Sequence, residues 1–140
     1  MPYKFMEDVA WADIAFEATG RTLAELFESA ALAVTNTMVR DLNGIHTKTM
    51  KRIEIEGRDV ENLLFNFLQE LVFLKDAELL LFSKIKIEDM TETSCTAVLR
   101  GEKINPKKHS LIVDVKAVTM HMFKVERTSK GWRAQVILDV

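Results

Sequence analysis

Apolar residues recur at every second position in five stretches of this chain and at three- and four-residue steps in two others. The first period belongs to half-buried strands and the second to amphipathic helices. A chain that carries both must bury a helix layer against a sheet layer, so all-helical and all-strand architectures are excluded.

The first helical stretch follows Gly20-Arg21, where Thr22 and Glu25 have the spacing of a capping box that satisfies free amides of a first turn. Leu23, Leu26, Phe27, Ala30, Ala31, Val34 and Met38 form one apolar stripe. The spacing predicts a helix to about Arg40, ending before the Asn43-Gly44 turn signal. The second stretch follows Gly57-Arg58, with Asp59 as N-cap. Its stripe of Val60, Leu63, Leu64, Phe67, Leu68, Leu71 and Val72 is wider and suits a helix lying across the centre of a sheet.

The alternating stretches begin with Ile53 and Ile55. Leu79, Leu81, Ser83, Ile85 and Ile87 then alternate with Lys84 and Lys86, and Cys95, Ala97 and Leu99 with Thr96, Val98 and Arg100. Leu111, Val113, Val115 and Ala117 alternate with Asp114 and Lys116, and Trp132, Ala134, Val136 and Leu138 close the chain. Segments around Tyr3–Val9 and Asp13–Thr19 also suit strands. The predicted order is strands, helix, strand, helix, then four or five strands. It describes an α/β (α+β) two-layer sandwich with two helices packed on a largely antiparallel mixed sheet. The 140 residues fit one domain, 1–140, with a core that needs no covalent staple.

Formal net charge is 19 − 21 = −2. Proteins that grip phosphates show a basic excess or stripe, so tight direct binding to nucleic acid is not expected. The single cysteine, Cys95, allows no internal disulfide and points to a reducing compartment. Nothing beside it in sequence would lower its pKa, so it reads as a structural thiol. The N-terminal residues lack the apolar core of a signal peptide, and no run approaches the ~20 apolar residues of a membrane span. The expectation is a soluble, cytoplasmic protein.

Two carboxylates stand out. Asp13 interrupts the apolar run from Val9 to Phe16, where it must be exposed, hydrogen-bonded or bound to metal; a capping role in a turn is the plain alternative. Asp139 is the penultimate residue, beside the carboxylate of Val140, and such neighbours repel unless a cation or water neutralises them. Oxygen donors of this kind suit calcium, magnesium or manganese and not zinc. The plain alternative is a frayed terminus, but the alternation from Trp132 to Leu138 runs to the end of the chain. Lys116 has Asp114 as its same-face neighbour and reads as one half of a cross-strand ion pair, or as a contact to phosphate or a partner's acidic groups.

The histidines match no zinc signature. His46 lies in a loop, His109 opens a strand, and His121 falls in an apolar strand between Met120 and Met122, which read as core or interface filler. No nucleophile elbow, phosphate-binding loop, dinucleotide fingerprint or zinc-protease helix is present.

Four stretches in register resemble the archease family. Residues 12–27, from Ala12-Asp13-Ile14 to Glu25-Leu26-Phe27, are similar to its opening A-D-[VI]-[GA]-[IF]-x-A-x-G-x-T-L-x-E-[LA]-F. Leu63 to Leu71 resembles its L-L-x-x-[WF]-L-x-E-L helix. Gly101-Glu102, Lys108-His109 and Val115-Lys116-Ala117-Val118-Thr119-Met120-His121 resemble its G-E…H…V-K-A-V-T-Y-H block. Gly131 to Val140 resembles its W-x-A-x-V-x-x-D-[VI] ending.

The resemblance implies a non-catalytic protein cofactor of the RtcB-type RNA ligase used in tRNA splicing and RNA repair. Such proteins promote transfer of guanylate from GTP to the ligase's active-site histidine and so support multiple turnover. It further implies a divalent cation, calcium or else magnesium or manganese, held by Asp13, Asp139 and an oxygen of Val140, with Lys116 close by. Asp13, Asp139 and Lys116 would then face the ligase, and tRNA would be met only through it. The chain departs from the pattern at Ala10 and Trp11, where the family commonly has His-Thr, and at Met120, where it has Tyr. Two other readings use the same sequence: a chaperone-like adaptor indifferent to the carboxylates, and a metal-dependent hydrolase that would turn over phosphate esters alone.

Overall fold

A computed structural model of the chain describes residues 2–6 and 13–140. These form β1 (Tyr3–Met6), β2 (Asp13–Gly20), α1 (Leu23–Met38), a short 3-10 turn (Leu42–Gly44), β3 (Thr49–Glu56) and α2 (Val60–Glu78). Five strands follow: β4 (Leu80–Met90), β5 (Ser94–Lys103), β6 (Ala117–Val118), β7 (Lys124–Thr128) and β8 (Gly131–Asp139). Residues 7–12, which include Ala10 and Trp11 and the end of the expected first strand, lie outside the described residues.

Both helices start where the capping chemistry places them. The Glu25 amide donates to Thr22 Oγ1 at 3.1 Å, and the Glu25 carboxylate reaches back to accept from the Arg21 amide at 3.1 Å. At α2 the Asn62 amide donates to Asp59 Oδ1 at 2.8 Å. That helix ends at Leu79, whose left-handed backbone lets its amide close on Leu74 and Lys75 carbonyls.

The strands form two sheets. One runs β1-β2-β8-β6, with β7 taking the remaining length of the same β8 edge; the other runs β3-β5-β4. Every described pairing is antiparallel. The two-layer α+β expectation holds, with its sheet layer divided. One buried cluster spans both parts, from Phe16, Val136 and Leu138 through α1 and α2 to Leu81 and Leu99. Phe27 and Phe67 meet at 5.5 Å between ring centroids where the helices touch.

Several expectations fail, each for a physical reason. The alternating segment Leu111–Ala117 is no continuous strand: Leu111 makes one bridge to Val39, and only Ala117 and Val118 pair as β6. Leu111, Ile112 and Val113 are all exposed, so their alternation marks no core face. Leu79 caps α2 instead of opening β4, and irregular register between Phe82 and Lys84 shifts the facing of that strand. His109 opens no strand but is a buried, hydrogen-bonded residue in a bend, and His121 lies exposed in a turn between exposed Met120 and Met122, so none of these last three fills the core as an apolar strand would. His46 is exposed in a loop, as expected.

Cys95 is buried, and burial pushes its thiol up to about 11 from an ordinary 9.0. Two units remove about a hundredfold of the thiolate at neutral pH, before accessibility is counted. A disulfide-exchange dye at pH 7.5 is therefore expected to label the native chain at least about a hundredfold slower than the urea-unfolded chain. Equal rates would mean that Cys95 is reachable in the folded state.

Candidate functional site

Asp13 and Asp139 are direct partners in the β2–β8 ladder. Residues opposed in this way put their side chains on one face, with Cβ atoms about 4.5–5.5 Å apart. That face is the one turned from the helices, because Phe16, Ala18, Val136 and Leu138 take the other set of positions and sit in the core. Both carboxylates are half-buried. Their alignment follows from the strand patterns: Phe16 must face Val136 and Ile14 must face Leu138, and a one-residue slip would turn every one of these outward.

β6 closes the other side of Asp139, which stands opposite Ala117. The Lys116 amide donates to the Asp139 carbonyl at 2.8 Å. Val140 packs its side chain at the edge of the core. The fold thus brings Asp13, Asp139, Val140 and the backbone of Lys116 to one end of the five-stranded sheet. Lys116 does not pair with Asp114, which binds Lys75. Among the described residues, no ion-pair partner comes within 4.0 Å of Asp13, Asp139 or the Lys116 ammonium.

Elsewhere on the same face the charges are matched. Arg133 donates to Glu17 at 2.9 Å and to Glu126 at 2.6 Å, and Lys124 stands 3.3 Å from Glu126. Hydrogen bonding from Arg133 holds both carboxyls below the usual range, joined at Glu126 by Lys124. Against that background Asp13 and Asp139 stand opposite each other with no ion-pair partner among the described residues, and like charges opposed across a strand pair are unfavourable. Two carboxylates with a main-chain oxygen of Val140 fit a hard cation such as calcium or magnesium. Among the described residues no three His, Cys, Asp or Glu side chains converge on a metal position. A cation held here would therefore keep part of its water shell.

Two polar clasps hold the irregular segment that leads to Lys116. Glu102, buried at 6% exposure, accepts from Lys108 Nζ at 2.7 and 2.9 Å and from the His46 amide at 2.7 Å, and pairs with His109 Nε2 at 3.0 Å. Lys108, the His46 amide and His109 together hold the Glu102 carboxyl far below the usual carboxylate range. His109 Nδ1 accepts the Asn105 amide at 2.9 Å, so the proton of a neutral ring sits on Nε2, facing the carboxylate. In the second clasp Lys75, buried at 4% exposure, directs its ammonium to Asp76, Asp114 and the Val115 carbonyl at 2.5, 2.6 and 2.7 Å. Burial opposes its charge, but the Asp114 and Asp76 hydrogen bonds outweigh that and raise its pKa. In the sequence Lys75 continues the α2 stripe one turn beyond Leu71. A lysine in line with an apolar stripe was the available signal.

A cavity of about 800 Å³ opens at the opposite end of the sheet between α1 and the β7–β8 hairpin. It contains none of Asp13, Asp139, Val140 or Lys116. Its two carboxylates already have partners, since Glu25 takes the Arg21 amide and Glu28 the Ile87 amide. The carboxylate end remains the candidate site.

Comparisons with known proteins span nearly the whole chain. The family model described as the Archease protein family (MTH1598/TM1083) matches residues 3–140. A protein from Archaeoglobus fulgidus named Protein archease is 38% identical, with 100% of each chain covered. Its namesake from Methanosarcina acetivorans is 36% identical over 99% of this chain and 95% of its own. The solution structure of Methanobacterium thermoautotrophicum protein 1598 superposes with a TM-score of 0.80 at 35% identity, covering 99% of both chains. The crystal structure of a Thermotoga maritima archease, described as a possible chaperone, matches in fold with a TM-score of 0.64 at 20% identity over 96% of this chain and 97% of its own.

Proposed function

The chain belongs to the archease family, and from that premise we propose that it is a cation-binding activator of an RtcB-type RNA ligase. The observation that carries this reading is the direct opposition of Asp13 and Asp139, with no described counter-charge, at the sheet end that Lys116 and Val140 share. Asp13, Asp139 and an oxygen of Val140 would hold a calcium, magnesium or manganese ion. Such an ion supplies positive charge that can organise phosphate oxygens. The chain's own contribution is to fix these carboxylates on rigid strands and to present Lys116 beside them to the ligase during guanylate transfer from GTP. No nucleophile or base is required of it, so it is not itself an enzyme. A net charge of −2 fits a protein that leaves GTP and tRNA to its partner. No described helix is long and apolar enough to cross a membrane, and the lone thiol suits the cytoplasm, where we place the chain.

The test is GTP-dependent labelling of the purified ligase with catalytic amounts of this protein. Wild type should stimulate labelling, and folded Asp13→Ala and Asp139→Ala variants should lose most of that effect. A folded wild type without effect would sink the assignment. A second reading, a chaperone-like adaptor, draws on the exposed run Leu111-Ile112-Val113 and on exposed Met120 and Met122. It predicts that both alanine variants keep full activity toward client proteins.

A further inference from the structure

We infer that Lys75 and Gln69, two side chains of α2, are positioning residues for Lys116. This rests on the reading of the carboxylate end as the activating site. Residues 114–118 carry Lys116 at their centre and have little strand structure of their own, since only Ala117 and Val118 pair. Such a segment needs fixing from outside if one of its side chains is to be presented in a set direction. α2 fixes it on both sides. Lys75 uses all three of its ammonium donors, one of them on the Val115 carbonyl and one on Asp114. Three residues beyond Val115, the Gln69 side-chain oxygen accepts the Val118 amide at 3.0 Å. Val115 and Val118, the two residues that α2 holds, are buried while Lys116 between them is exposed, and the Lys116 amide is tied to the Asp139 carbonyl.

The arrangement is asymmetric in a telling way. A lysine buried to 4% exposure pays heavily in desolvation, and a methionine would fill the same space at lower cost. Asp76 and Asp114 are each more than half exposed and could hydrate without it. What the ammonium alone supplies is a charged donor to the Val115 carbonyl, one residue before Lys116. Gln69 lies about one and two-thirds turns earlier on the same helix, so the two side chains form a rigid bracket whose spacing is set by α2.

The experiment compares Lys75→Met, Gln69→Ala, Lys116→Ala and the double variant Lys75→Met/Lys116→Ala. The first readout, independent of any ligase, is hydrogen exchange of the Lys116 amide in chains whose circular dichroism matches wild type. Lys75→Met and Gln69→Ala should each speed it by about tenfold or more, as local opening becomes easier. Unchanged exchange in both overturns the bracket. The second readout is maximal stimulation of ligase labelling. Lys75→Met should lower it as Lys116→Ala does, the double variant should fall no further, and Lys75→Arg should recover part of the loss. Losses that add independently mean that Lys75 acts only on stability, and they overturn the positioning role. If Lys75→Met fails to fold, Asp114→Asn and Gln69→Ala carry both readouts. If wild type itself does not stimulate, the activator reading fails, and the exchange result alone decides the bracket.

Discussion

Asparagine in place of Asp13 or Asp139 is expected to raise the melting temperature in the presence of a chelator and to abolish the stabilisation that calcium gives the wild type. The two effects have opposite signs because the same pair of groups produces both. Without a cation, two carboxylates face one another across the β2–β8 ladder with no described counter-charge within 4.0 Å. Removing one charge should relieve roughly 0.2–1 kcal/mol of cross-strand repulsion. A cation bound only by the folded chain adds about 2.7 kcal/mol at a hundred times its dissociation constant. At a few degrees per kcal/mol for a chain of this size, the wild type should gain several degrees from saturating calcium. The asparagine variants should gain little. Scanning calorimetry in chelator, calcium, magnesium and manganese checks both signs. If no divalent cation shifts the wild type, the carboxylates hold no such ion. If the asparagine variants melt lower in chelator, these side chains are structural acceptors, as the turn reading of Asp13 supposed.

Helices and most strands were legible because their signals are local. The Thr22–Glu25 and Asp59–Asn62 caps involve residues three apart, and the structure realises both. The alternation in β3, β5 and β8 reports one core-packed face, only half-buried in β3, and each of those strands forms. The segment around Leu111 to Ala117 was misread because its alternation is accidental. Its path is set by groups distant in sequence: Ser110 accepts the Arg40 amide, Met38 accepts the Ile112 amide, and Lys75 takes Asp114 and Val115. Division of the sheet was equally out of reach, since strand periodicity says nothing about which strands pair.

The site was legible to a different degree. The two odd carboxylates were visible as residues out of place, and the register sets them opposite each other, which their sequence positions could not show. Lys116 was visible only as a lysine on an alternating segment, and the ion pair expected for it belongs to Lys75. The buried pairing of Glu102 with His109 was hidden because a lone histidine after a lysine pair carries no signature, and its seven-residue separation from Glu102 crosses a bend.

Gly101→Ala is expected to be the most damaging of the small substitutions, destabilising the chain by roughly 3 kcal/mol or more, at the upper end of overpacking costs. A Cβ at Gly101 would sit 1.8 Å from the Leu81 carbonyl oxygen and 2.8 Å from Phe82 Cα. Those are backbone atoms of β4, and no rotamer change can move them aside. The strands would have to part where Phe82 faces Gly101 and Leu81 faces Glu102, next to the irregular register that follows Phe82. Glu102 would move with them, loosening its bonds to Lys108, His109 and the His46 amide, and with them the start of the segment that runs to Lys116. The Gly-Glu pair thus has a two-part physical meaning: the glycine lets β4 lie close, and that closeness aims the carboxylate into its clasp. Gly44→Ala is the control. Nothing lies within 4 Å of its Cβ position and its φ is not in the left-handed range, so alanine there should be neutral or stabilise by about 0.4–1 kcal/mol. Urea midpoints of the two variants measure the contrast. A Gly101→Ala chain as stable as wild type would mean that β4 and β5 can separate at little cost, and that Glu102 is held by its polar partners without help from the strand beneath it.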